Sequence, residues 1–127
     1  MIDWSQYPNF SRYEFDSPDR PGSGDLMEEA FLQILQEIRT EIDMPMSITS
    51  GYRTREWNTH VGGKPNSAHL RGFAADIACG SSRLRHKILE QAYRYEGIRV
   101  GIAHTFIHLD IDPSLDQDVT WTYGRTL

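Results

Sequence analysis

The sequence predicts an α+β domain with a small, mainly antiparallel sheet and helices packed on one face. Three observations predict it. "IRVGIA" and "FIHLDI" alternate with the period of a strand and lie a few residues apart, which reads as a β-hairpin. Two other stretches, one from Asp25 and one from Ser81, repeat apolar residues at helical spacing. Strands and helices do not alternate as βαβ units, so a parallel sheet is disfavoured.

Taken in order, the first twenty-odd residues are rich in aromatics, Pro and Asp. They read as an irregular wrap with Phe10, Tyr13 and Phe15 as packing anchors, followed by the loop "SPDRPGSG". Helix one is expected from Asp25 as cap, with Glu28 at the acidic capping-box position. Leu26, Ala30, Phe31, Ile34, Leu35 and Ile38 form its apolar face, and the pattern fades near Asp43 and Met44, before Pro45. "MSITSGYR" reads as a short strand entering a loop. "TREWNTHVGGKPN" reads as a short helix capped by Thr54 and stopped at Gly62-Gly63. "AADIA" is a short buried strand around one aspartate. In the next helix Ser81 or Ser82 is the cap, Leu84, Ile88, Ala92 and Tyr95 are the stripe, and Gly97 is the stop. After the hairpin, "DPSLDQDVTWTYGRTL" starts as loop and ends in a Trp-Tyr pair able to pack back.

A chain of 127 residues fits a single domain, 1–127, with one core. It is 39% hydrophobic and 24% charged, an ordinary globular balance. Net charge is −5 and lysine occurs only at positions 64 and 87, so nucleic acid, which demands a larger basic surface, is disfavoured as a partner. The single Cys79 excludes an intramolecular disulfide and reads as a core residue. No apolar run approaches a transmembrane length, and the N-terminus has neither the basic nor the apolar region of a signal peptide. Neither membrane insertion nor oligomerisation is expected.

The chemistry concentrates in "TSGYRT", "NSAHLRGFAAD", "AHT" and "FIHLDID". His69 and Asp76 are two metal-type side chains on either side of Gly72. His108 is the best third, because a histidine inside an apolar strand needs a partner. It shares a strand face with Phe106, Asp110 and Asp112, whereas Ile107, Leu109 and Ile111 point into the core. That arrangement suits a site on the polar face of the sheet, roofed by a loop. Two histidines and a carboxylate fit a catalytic zinc site with an open fourth position for water. Asp110 is then either the general base or the acceptor that fixes a ligand histidine's tautomer. A plain structural turn without metal is the bland alternative. His60 and His86 sit on predicted helices and read as surface residues.

With these residues in view, the sequence resembles the zinc D-Ala-D-Ala carboxypeptidase family, which also contains cell-wall endopeptidases. The closest likeness is to its compact bacterial and prophage branch. The motif S-x-H-x-x-G-x-A-x-D appears in full as Ser67, His69, Gly72, Ala74 and Asp76. "TSGYR" stands at 49–53, "VGG-x-PNS" at 61–67, the closing His-x-Asp at His108 and Asp110, and "FSRYEF" matches the branch's opening segment. The resemblance implies a Hedgehog-type fold, with Zn2+ held by His69, Asp76 and His108. It places Arg53 in the substrate pocket, and Ser67 and His104 are expected to contact substrate as well. The family's catalytic glutamate, or alternatively a histidine, falls at Thr105 or Phe106 here, and neither is a base. Asp110 is the chosen base, with His104, another acid or no base as alternatives. The implied function is hydrolysis of a peptide bond in peptidoglycan stem peptides or cross-links. The rival is a zinc-stabilised binding module without activity, as the Hedgehog signalling domain is usually regarded. Synthesis in the cytoplasm and action at the cell wall or periplasm after release by a separate pore are expected.

Overall fold

The computed structural model describes residues 1–124. The N-terminal wrap consists of three short 3-10 helices, Trp4–Gln6, Arg12–Phe15 and Ser23–Leu26. Phe10 and Phe15 are buried as expected, and Tyr7 joins them, but Tyr13 lies exposed. Trp4 stacks on Phe15 with ring centroids 5.4 Å apart, and its Nε1 donates to Asp25 at 2.8 Å.

That last bond explains why helix α1 (Glu29–Ile42) begins later than the sequence predicts. The Asp25 carboxylate is occupied by Trp4 inside a 3-10 turn, Met27 is extended, and Glu28 becomes the N-cap. Leu26 and Ala30 are consequently exposed, and Phe31, Leu32, Leu35, Ile38 and Ile42 carry the buried face. Fully burying each such side chain contributes about 1.5–3 kcal/mol.

Strand β1 (Ile48–Ser50) leads into helix α2 (Arg55–His60), whose first turn is capped by the Thr54 hydroxyl accepting from the Trp57 amide at 3.0 Å. Strand β2 (Ala74–Ala78) follows. Helix α3 (Ser82–Ala92) is capped by Ser81, whose hydroxyl accepts from the Leu84 amide at 3.1 Å. The predicted hairpin is β3 (Arg99–Ile102) and β4 (Phe106–Asp110). The Trp-Tyr tail does more than pack back: Val119–Thr122 is a fifth strand, β5, paired parallel to β3.

The sheet runs β1-β2-β4-β3-β5, and every pairing but the last is antiparallel. Its apolar face presents Ala75, Ile77, Val100, Ile107 and Leu109, and α1 and α3 close the core against it. The opposite face carries the polar residues in two cross-strand rows. In one row Asp76, His108, Gly101 and Trp121 are successive partners, and in the other Ala74, Asp110, Arg99 and Val119 are. Among the described residues no helix is long and apolar enough to cross a membrane.

Gly101 is required by its neighbour. A Cβ there would meet the Trp121 ring at 2.7 Å and the Tyr123 ring at 2.8 Å. Gly101→Val is expected to displace β5 and destabilise the protein by about 1–3 kcal/mol, the cost of overpacking. The measurement is the urea unfolding midpoint.

Candidate metal centre

His69 sits in a 3-10 turn, Ala68–Arg71, that local chemistry sets. The Ser67 hydroxyl accepts from the His69 amide at 3.2 Å, and Gly72 ends the turn in the left-handed region at φ 78°. A Cβ on Gly72 would also strike the Leu26 carbonyl at 2.3 Å. The turn is fixed on two sides. The Arg53 amide donates to the His69 carbonyl at 3.1 Å, and Arg71 Nε donates to the fully buried Asp112 at 2.6 Å, just past β4.

These ties bring His69 over β2 and β4, where Asp76 and His108 are direct partners across the strands. One donor atom from each of the three buried residues lies within 4.8 Å of the others. His69 Nε2 is 3.2 Å and His108 Nδ1 is 2.9 Å from the same oxygen, Asp76 Oδ1. The outward ring nitrogens are held too. His69 Nδ1 is 2.7 Å from the Gly51 carbonyl, and His108 Nε2 is 2.7 Å from Asp110 Oδ2.

Each imidazole is therefore flanked by acceptors on both nitrogens, yet a neutral ring has one N–H to give. With the outer nitrogens donating to Gly51 and Asp110, both inner lone pairs face a carboxylate. Only added protons or a cation resolve that contact. The group charges agree. Burial pushes His69 below the usual histidine range, more than Asp76 offsets. Burial also opposes a charged His108, but Asp110 and Asp76 outweigh it and hold the ring above that range. Burial works to raise Asp76, but the bonds and charges of the two histidines win and hold it well below the carboxylate range. The donor set fits a metal ion between Nε2, Oδ1 and Nδ1.

The structure places the other expected site residues differently from one another. Arg53 lies beside the centre: its Nη2 donates to Asp76 Oδ2 at 3.2 Å, Nη1 to Asn58 at 3.1 Å and Nε to Ser50 at 3.0 Å. It lines a groove of about 270 Å³ with Tyr52, Trp57, Val61, Asp76 and Phe106. Asn58 and Ser50 were not singled out in the sequence, because only the tertiary position of the guanidinium reveals them.

Asp110 does not fit the role of base. It is 1% exposed and lies behind the His108 ring, on the side away from Asp76. Its Oδ2 is held by His108, and its Oδ1 accepts from the Asp112 amide at 3.1 Å. A carboxylate so placed orients the ring and has no path to a water on the far side of it. Ser67 caps the 3-10 turn and does not line the groove. His104 is exposed in the β3–β4 turn and borders a separate depression with Gly80, Ser82 and Arg85. Its backbone carbonyl accepts from Arg85, so it belongs to the hairpin end and not to the metal centre. Cys79 is buried in the core, and His60 and His86 are exposed, all three as expected.

A profile of the peptidase M15 family matches residues 10–110, a span that contains every residue of this cluster. The chain belongs to that family. A zinc D-Ala-D-Ala carboxypeptidase from Streptomyces albus G is 44% identical over 39 residues. The aligned stretch covers 31% of this chain and only 15% of that enzyme. The M15 assignment agrees with the α+β architecture and with a polar sheet face gathering two histidines and an aspartate.

The Asp76–Arg53 pair is nearly buried, with side chains 11% and 14% exposed. Removing one partner of such a pair leaves a charge without compensation. Arg53→Met is expected to lower the stability of the metal-free protein by on the order of 3 kcal/mol, read by urea unfolding. Asp112 gives a pH prediction. Burial opposes its ionisation, but the Ser114 hydroxyl, the Ser114 amide and Arg71 outweigh it, so its folded pKa lies below the ordinary value. A lowered carboxylate pKa adds stability that is complete above the unfolded pKa of about 3.9 and is lost as pH falls through the folded value. Asp112→Asn is expected to flatten the fall in stability below about pH 4, measured as the melting temperature across an acid pH series.

Proposed function

We propose that this M15 chain is a zinc peptidase that hydrolyses a peptide bond in peptidoglycan stem peptides or cross-links. The observation that carries the reading is the pair of imidazoles converging on one oxygen of Asp76, each with its outer nitrogen already held. His69 Nε2, Asp76 Oδ1 and His108 Nδ1 would hold the metal, and two histidines with one carboxylate are a set used by catalytic zinc. The carboxypeptidase name of the Streptomyces relative supports both zinc and the substrate class.

Zinc held there would supply the Lewis acidity that polarises a carbonyl and activates water. The chain's own residues do the rest. Gly51 and Asp110 fix the two rings by their outer nitrogens, so neither has to reorient when the metal binds. Arg53 fixes the second oxygen of Asp76 and lines the groove, where its remaining N–H groups would donate to a peptide carbonyl or carboxylate. Tyr52, Trp57, Val61 and Phe106 give that groove apolar walls that exclude water from the peptide.

One observation favours a second reading, a metal-stabilised binding module. Of the two carboxylates lining the groove, Asp76 belongs to the metal set. Asp16 accepts from the Gly22 and Gly24 amides at 3.0 and 2.6 Å. Both are already engaged by partners within the fold.

Metal analysis and digestion of purified peptidoglycan separate the readings. The peptidase binds one zinc per chain, loses it in His69→Ala, and releases stem-peptide products identified by mass spectrometry that a chelator abolishes. A zinc-loaded protein that releases nothing supports the binding module, and a protein without stoichiometric metal overturns both.

A further inference from the structure

Behind Asp110 lies a second layer that the proposed peptidase chemistry does not use. Arg99 is the cross-strand partner of Asp110, and its Nε lies 2.9 Å from Asp110 Oδ1. The guanidinium is not a free surface group. Its side chain is 14% exposed, it lies over the Trp121 ring at 5.2 Å, and Nη1 donates to the Asp116 carbonyl. Trp121 in turn packs against the His108 ring, with centroids 5.4 Å apart. Gly101 lets that happen, because any side chain there would occupy the space of the indole.

We propose that Arg99 is a positioning residue of the metal centre, acting through Asp110 to keep the proton of His108 on Nε2 and its Nδ1 lone pair toward the metal. The proposal rests on the metal-centre reading above. Its physical basis is the isolation of Asp110. That carboxylate is 1% exposed and, among the described residues, accepts from the His108 ring and the Asp112 amide. Among the described residues, the Arg99 guanidinium is the cation beside it, although the buried Nε–H is not aligned on Oδ1 as a hydrogen bond. The contact is therefore an ion pair more than a directed bond, and charge is what it supplies. With Arg99 in place, Asp110 is held against the His108 ring and accepts from Nε2. Without it, the buried carboxylate has no counter-charge to hold it against the ring and swings toward solvent, and His108 loses the partner that fixes its tautomer. Trp121 adds a steric contribution by packing against both the guanidinium and the imidazole.

The test uses the whole chain with Arg99→Gln, Arg99→Lys and each in combination with Asp110→Asn. Two quantities are read. One is the His108 tautomer in metal-free protein, from two-bond 1H–15N correlations at a pH where the ring is neutral. The other is zinc affinity, by competition with a chromophoric chelator. The expected result is an Nε2–H ring in the natural chain, a mixture in Arg99→Gln, and recovery in Arg99→Lys. Zinc affinity is expected to fall about 10–100-fold in Arg99→Gln, the usual loss when a ligand's outer partner is removed. That loss should vanish when Asp110 is already Asn. A folded Arg99→Gln with the natural tautomer and affinity overturns the proposal, as does a loss that persists undiminished in the Asp110→Asn background. Should Arg99→Gln not fold, Arg99→Lys decides: the charge alone must keep the Nε2–H ring, and a mixture there overturns the proposal. Because the tautomer is read without metal, failure of the zinc reading shows separately as no zinc bound by the natural chain.

Discussion

A single carboxylate oxygen, Asp76 Oδ1, organises this molecule. Two buried imidazoles point at it, and both have spent their outer nitrogens on fixed acceptors. The constraint spreads outward from there. Gly51 must present its carbonyl, so the chain after β1 is tied to Phe15 and to His69 through the backbone of Tyr52 and Arg53. Asp76 must face His108, so β4 must pair with β2 in one register only, since a shift by one residue would break that pair and turn His108 and Asp110 into the core. The apolar face of the sheet enforces the same register from the other side, through Ile107 and Leu109. Packing and site chemistry thus specify one strand pairing together.

The polar face differs from an ordinary solvated sheet face. His108, Asp110 and Asp112 are all buried, because the 3-10 turn of His69 and the Trp121 strand cover them. Burying this much charge is costly unless every group is partnered. Asp76 has two histidines and an arginine, Asp110 a histidine, an arginine and an amide, and Asp112 an arginine and a serine. The partners alternate in sign through the layer. That alternation makes the convergence of three donor atoms tolerable in a buried layer.

Much of this was legible in the sequence where the signal is local. Period-two alternation in "FIHLDI" gave the face of His108, and the hydroxyls of Thr54 and Ser81 marked the helix starts the structure has. The three residues that the structure brings together were readable because the motif puts His69 and Asp76 on either side of a glycine that must turn left-handed. What failed was decided by contacts distant in sequence. Asp25 carries a good cap signal, but Trp4, twenty-one residues away, takes its carboxylate. β5 pairs in parallel with β3, which no short-range pattern announces. Asp110 has the composition of a base, and only the side of the imidazole it occupies shows otherwise. His104 lies four residues before His108, yet the hairpin carries it past the end of the paired strands.

The cross-strand row through Asp76, His108, Gly101 and Trp121 has a consequence for how this centre tolerates change. Neighbouring strands are held about 4.8 Å apart by their backbone hydrogen bonds. The separation of two of the three donors is thus a property of the sheet ladder, independent of the length of any loop. Residues can be added to or taken from the turn at 103–105, or from the segment between α3 and β3, without moving Asp76 relative to His108. The third donor is different. His69 reaches the row from a turn held by Arg53, Gly72 and the Arg71–Asp112 pair, so the geometry of the whole centre is adjustable at one donor and fixed at two.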